Sequence, residues 1–131
     1  MQRVNTEAPV IDLHRQMVFR LLFFLAKEGF YGIESAHQAD LFAPQAIAGA
    51  DGTCYVPDVT AWRQEQEHLF AITTPDHLAQ DHTRRQLTAF YHYACQNGAR
   101  LCLYIRGESR QQACRLMEEL QIPASAYTLL T

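Results

Sequence analysis

Between Leu13 and Leu25 apolar residues recur at i, i+4 and i+7: Leu13, Met17, Val18, Leu21, Leu22, Phe24 and Leu25. That period predicts an amphipathic helix over 12–28, with Asp12 as N-cap and Gly29 as C-terminal stop. Phe19 and Phe23 fall on the other side, beside Arg20 and Lys27. Two phenylalanines on a nominally polar face imply either cover from a second side or a partner surface. A short strand or extended turn is expected at Phe30–Ile33, residues 38–50 carry no clear period, and Asp51-Gly52 signals a turn. Residues 53–60 read as a strand that Pro57 demotes to an edge or bulge. A polar turn over 64–67 and a β-rich strand over 68–74 complete an antiparallel meander.

The period then returns to helix over 79–96, with Thr83, Leu87, Phe90, Tyr91 and Ala94 on one face and Asn97-Gly98 as the stop. Leu101–Ile105 is apolar on both faces and reads as a covered central strand. Ser109 and Gln112 form an S-x-x-Q capping box for a helix over 109–121, striped by Ala113, Leu116, Met117 and Leu120. Pro123 ends it, and 127–130 is a last strand. Strand–helix–strand implies a right-handed crossover. The expected architecture is α/β (α+β): a mixed central sheet flanked by helices, in one domain over 12–131 behind an N-terminal arm, 1–11.

Composition narrows the class. The chain has 131 residues, 48% hydrophobic and 19% charged, enough for one domain with a true core. A net charge of −3 argues against a basic nucleic-acid glove, and the longest apolar run, Leu21–Ala26, is too short to span a membrane. Cys54, Cys95, Cys102 and Cys114 form no CxxC motif and sit in apolar runs, which points to a reducing, cytoplasmic setting. Lys27 is the sole lysine among eleven basic residues.

Asp58, directly after Pro57 within the expected strand, is the first candidate for chemistry, because a carboxylate at a strand kink can serve a metal. The run Tyr55-Val56-Pro57-Asp58-Val59-Thr60-Ala61-Trp62, followed by Leu69-Phe70-Ala71-Ile72-Thr73-Thr74, resembles the PD-(D/E)xK (restriction-endonuclease-like) nuclease superfamily. The resemblance covers roughly residues 12–105 and implies an αβββαβ core, here with a further C-terminal αβ. It implies two acids holding Mg²⁺, which activates water against a phosphodiester, and a lysine that orients the water and offsets developing charge. Aligned so, Ala71 stands at the second acid and Thr73 at the lysine. A QxxxY motif on the following helix is matched by Gln86 but has Phe90 in place of tyrosine, with Tyr91 adjacent.

These departures favour a catalytically degenerate nuclease-fold protein, an accessory binding or assembly module of a DNA-processing or other macromolecular complex, without cofactor. The alternative is a Mg²⁺-dependent DNA nuclease with a migrated site: Asp58 as metal ligand joined by Glu34, Glu65 or Glu67, with Gln86 nearby. A third is a homodimerising interaction module with no nucleic-acid role. Arg63, Arg84, Arg85 and Arg100 are the candidate phosphate contacts should DNA bind. Phe19 and Phe23 are the candidate interface for a protein partner or second copy. His68, His77, His82 and His92 match no closed zinc spacing, no Gly-rich phosphate loop or nucleophile motif is present, and no membrane partner is expected.

Overall fold

The computed structural model describes residues 12–131, so the expected arm lies outside the described residues. Helix α1 (Leu13–Lys27) begins where Asp12 accepts the His14 backbone N–H through its side chain, 3.1 Å away, as its N-cap role requires. Strand β1 (Tyr31–Glu34) follows, then a two-stranded ribbon of β2 (Ile47–Ala48) and β3 (Cys54–Tyr55). Strands β4 (Val59–Arg63) and β5 (Gln66–Ile72) form a hairpin. Helix α2 (Asp81–Asn97), strand β6 (Arg100–Tyr104), helix α3 (Arg110–Glu119) and strand β7 (Tyr127–Leu130) complete the chain.

The main sheet has five strands in the order β1-β4-β5-β6-β7. The first three pair antiparallel, and β5–β6 and β6–β7 pair parallel across α2 and α3. Leaving the ribbon aside, the order is αβββαβ with an added αβ, and the class is mixed α/β as expected.

Strand alternation sends neighbouring residues to opposite faces. On one face Phe70, Ile72, Val59 and Cys102 pack with Met17, Val18, Leu21 and Leu25 of α1. On the other, Leu69, Ala71, Leu101 and Leu103 pack with Leu87 and Phe90 of α2 and with Leu116 and Met117 of α3. Successive right-handed crossovers travelling one way place both helices on one face. The opposite face therefore has α1 alone.

Several sequence expectations are corrected. The strand over 53–60 is two pieces, because Pro57 cannot donate to a ladder and the chain bends at Pro57-Asp58. Asp58 thus stands at the entrance of β4 rather than in mid-strand. The turn over 64–67 is only two residues long: Gln64 (φ 53°) and Glu65 (φ 63°) are both left-handed, as a type I′ hairpin demands, so β5 starts at Gln66. The unassigned stretch 38–50 contains β2. Ser109 makes no side-chain cap; a 3₁₀ turn over Gly107–Ser109 leads into α3, and Ser109 is buried. Phe24, expected in the core stripe, is 45% exposed. Cys102 alone is buried; Cys54, Cys95 and Cys114 are exposed. Among the described residues no helix is long and apolar enough to cross a membrane.

Candidate functional site

Three chain segments meet at the entrance of β4. The first turn of α1 brings His14, the bend after β1 brings His37, and the break before β4 brings Asp58. Nε2 of each histidine lies 3.0 Å from Asp58 Oδ1. The other carboxylate oxygen, Oδ2, accepts the Ile72 backbone N–H at 2.7 Å. Ser35, fully buried, donates through Oγ to the Asp58 carbonyl at 2.9 Å and accepts the His37 N–H at 3.2 Å. The Asp58 side chain is only 14% exposed, so its charge requires these donors.

The electrostatics follow. Burial alone pushes the Asp58 carboxyl up, but hydrogen bonds from His14, His37 and the Ile72 N–H outweigh it and hold the group below its ordinary value. The Asp58 hydrogen bond raises the His14 pKa against the opposing effect of burial. Among the described residues these three form the one group of His, Cys, Asp or Glu whose potential ligand atoms all lie within 4.8 Å of one another. His14 and Asp58 border a cleft of 280 Å³ also lined by Thr73, His77, His82 and Gln86. Two imidazoles and a carboxylate at such an opening can hold a divalent cation.

The other candidates are dispersed. Gln86 and Thr73 share the Asp58 cleft. Glu34 and Glu67 line a different one, of 260 Å³, where Thr60 Oγ1 donates to Glu34 at 3.3 Å and the Tyr93 hydroxyl donates to Glu67 at 2.8 Å. Burial, then the Glu67 contact, pushes the Tyr93 hydroxyl up to about 12. Glu65 sits exposed in the β4–β5 turn. Phe90 is a fully buried core residue, and Lys27 lies in the last turn of α1, about 20 Å along the axis from His14 at 1.5 Å per residue.

The arginines do not make one patch. Arg63 covers the Phe30 ring, 4.3 Å from its centroid. Arg100 donates to Thr128 Oγ1 (2.9 Å), the Ser125 carbonyl (2.8 Å) and the Tyr127 carbonyl (3.0 Å), locking the start of β7. Arg84 pairs with Glu119, tying α2 to α3. Arg85 lines a groove beside Asp51. Phe19 and Phe23 stand 44% and 70% exposed on α1.

Sequence reasoning missed His14 and His37. They stand 44 and 21 residues from Asp58, with no shared local spacing. The one available hint was a histidine two residues after a small polar side chain at an element boundary, in Asp12-Leu13-His14 and Ser35-Ala36-His37. Comparison of the chain with models of known protein families, with curated proteins and with solved structures gave no match in any of the three.

Proposed function

We propose that the chain is a nuclease-fold protein lacking the two-acid, one-lysine reaction, and that it works as an accessory module docking onto a protein partner in a DNA-processing or other macromolecular assembly. The observation that carries this reading is the pair Ala71 and Thr73. The Asp58 carboxylate is bonded to the backbone of Ile72, so the residues on either side of Ile72 are those in register to complete a metal site. They offer a buried methyl group and a buried hydroxyl. A methyl group cannot ligate Mg²⁺, and a hydroxyl cannot supply an ammonium charge.

The docking half of the reading is supported by α1, which leaves Phe19, Phe23 and Phe24 44%, 70% and 45% exposed. The internal use of Arg100 and Arg84 leaves less free cation for a phosphate backbone, which favours a protein partner over free DNA. The test is a cleavage assay on labelled single- and double-stranded DNA with Mg²⁺ or Mn²⁺. The expected result is no cleavage; turnover that disappears in Asp58→Ala overturns the reading.

A second reading is favoured by the convergence of His14 and His37: a metal-dependent phosphodiesterase whose site is rebuilt around Asp58 with imidazoles in place of acids. It predicts cleavage with a transition ion, and the same assay run with Zn²⁺ and Mn²⁺ separates the two.

A further inference from the structure

We propose that His14, His37 and Asp58 form a binding site for one divalent transition ion of the zinc class, with its remaining coordination position open to the cleft. This donor set differs from the two-acid magnesium site that the nuclease resemblance implies, and it stands independently of whether the chain cleaves DNA.

Geometry comes first. Ligand atoms held ~2.0–2.1 Å from one ion at tetrahedral or octahedral angles lie roughly 2.9–3.4 Å apart. The two Nε2···Oδ1 separations, both 3.0 Å, fall in that range, and no pair among the three atoms exceeds 4.8 Å. The imidazoles meet nearly edge to face, centroids 5.0 Å apart at 70°, so their nitrogens converge without the rings colliding. One cation on the shared side of Nε2, Nε2 and Oδ1 replaces the protons that otherwise bridge them. Each histidine then carries its proton on Nδ1, and loading releases any proton held in excess of that.

The surrounding shell is built for rigidity. Ile72 N–H occupies Oδ2, which leaves Oδ1 to coordinate alone. Ser35 Oγ links the Asp58 carbonyl to the His37 backbone, so two ligands are fixed to one buried hydroxyl. Asp12 caps the turn that carries His14. Such supports orient ligands before the ion arrives.

Ligand chemistry then selects the ion. Two neutral nitrogens and one carboxylate oxygen suit Zn²⁺, Co²⁺ or Ni²⁺, whereas Mg²⁺ and Ca²⁺ prefer all-oxygen sets. Three protein ligands leave a position for water or an anionic oxygen, as in open rather than closed zinc sites. His77, His82 and Gln86 line the cleft that His14 and Asp58 border.

The experiment titrates metal-stripped full-length protein with Zn²⁺ against a chromophoric chelator, and with Co²⁺ followed by absorption. The expected result is one ion per chain, a Co²⁺ ligand-field spectrum without a thiolate charge-transfer band, and affinity for Mg²⁺ at least 100-fold weaker than for Zn²⁺. His37→Ala, on an exposed bend, should weaken Zn²⁺ binding 100-fold or more while circular dichroism stays unchanged in chelator. Ser35→Ala should weaken it ~10-fold, and His92→Ala, in a separate groove between α2 and β2, should leave it unchanged. Absence of stoichiometric binding, a thiolate band pointing to the exposed cysteines, or full affinity in His37→Ala overturns the proposal. A DNA-cleavage result bears on the function proposed above and leaves these outcomes separate.

Discussion

The two ends of the central sheet handle their polar groups in opposite ways. At the end where β4 ends and β6 and β7 begin, each is closed within the fold. Arg100 satisfies three acceptors on the approach to β7, Arg63 lies over Phe30, and His68 bonds the Gln66 carbonyl against the rings of Phe30 and Phe70. At the end where β4 begins and β5 finishes, two imidazoles crowd one carboxylate oxygen beside an open cleft. Residues that read as ligand-facing in the sequence, Arg63 and Arg100, are structural. Residues with no motif, His14 and His37, sit where a ligand can reach. Cation chemistry in a sequence indicates capacity; the closure of its hydrogen bonds decides whether that capacity faces inward.

The sharpest break of this comparison is Arg100→Ala. It orphans three acceptors along Ser125–Thr128, and hydrogen bonds to a charged donor contribute about 1.5–3 kcal/mol each before relaxation and water recover part. Urea unfolding should show a loss of about 2–3 kcal/mol, with Zn²⁺ affinity unchanged. Arg100→Lys should restore less than half, since an ammonium cannot span three divergent acceptors. Destabilisation below about 0.5 kcal/mol would show that Arg100 is free to serve a ligand.

Asp58→Ala in chelator should cost less, about 1–2 kcal/mol, because it orphans one buried N–H and frees two imidazoles that water can reach. A loss exceeding that of Arg100→Ala would reverse the assignment and make the Asp58 end the structural lock.

Between pH 5.5 and 8, where the histidines titrate, the two ends should also answer pH with opposite signs. His14 has a raised pKa, so its contribution is complete below about 6.5, the unfolded value, and is lost as pH rises through the raised folded value. Asp58 is lowered, so its part is present above about 3.9 and lost as pH falls through the still lower folded value. His68 is lowered, first by burial and further by Arg63 and Arg100, so folding resists its protonation and stability falls as pH drops below about 6.5. In chelator, His14→Gln should therefore lose more stability at pH 5.5 than at pH 8, and His68→Gln less. Both differences should be smaller than the substitution effects above, and urea midpoints at the two pH values test them.

Much of the fold was legible because it rests on periodic patterns. The helical stripes of α1, α2 and α3 and the doubly apolar run at Leu101–Ile105 needed no tertiary information. The break at Pro57-Asp58 and the short ribbon did not follow from period, since two-residue strands are too short to show one. The site was half legible: Asp58 drew notice through its place after Pro57, while its partners come from segments that only the sheet and α1 bring together. The expectation of a second acid at Glu34 or Glu67 met strand geometry instead, for both line the separate cleft beside Tyr93.

The smallest expected effect tests whether the two ends are mechanically independent. Gln64 and Glu65 hold left-handed φ values in the hairpin turn at the closed end, where Asn-Gly is the favoured pair. The double change Gln64→Asn, Glu65→Gly should raise stability by about 0.5–1 kcal/mol by relieving backbone strain. It touches neither His14, His37 nor Asp58, and five paired residues of β4 separate it from the cleft. Zn²⁺ affinity should therefore stay within twofold of the parent. A larger change would mean that the hairpin transmits its turn geometry along β4 to Asp58, so that the closed end sets the aperture of the open one.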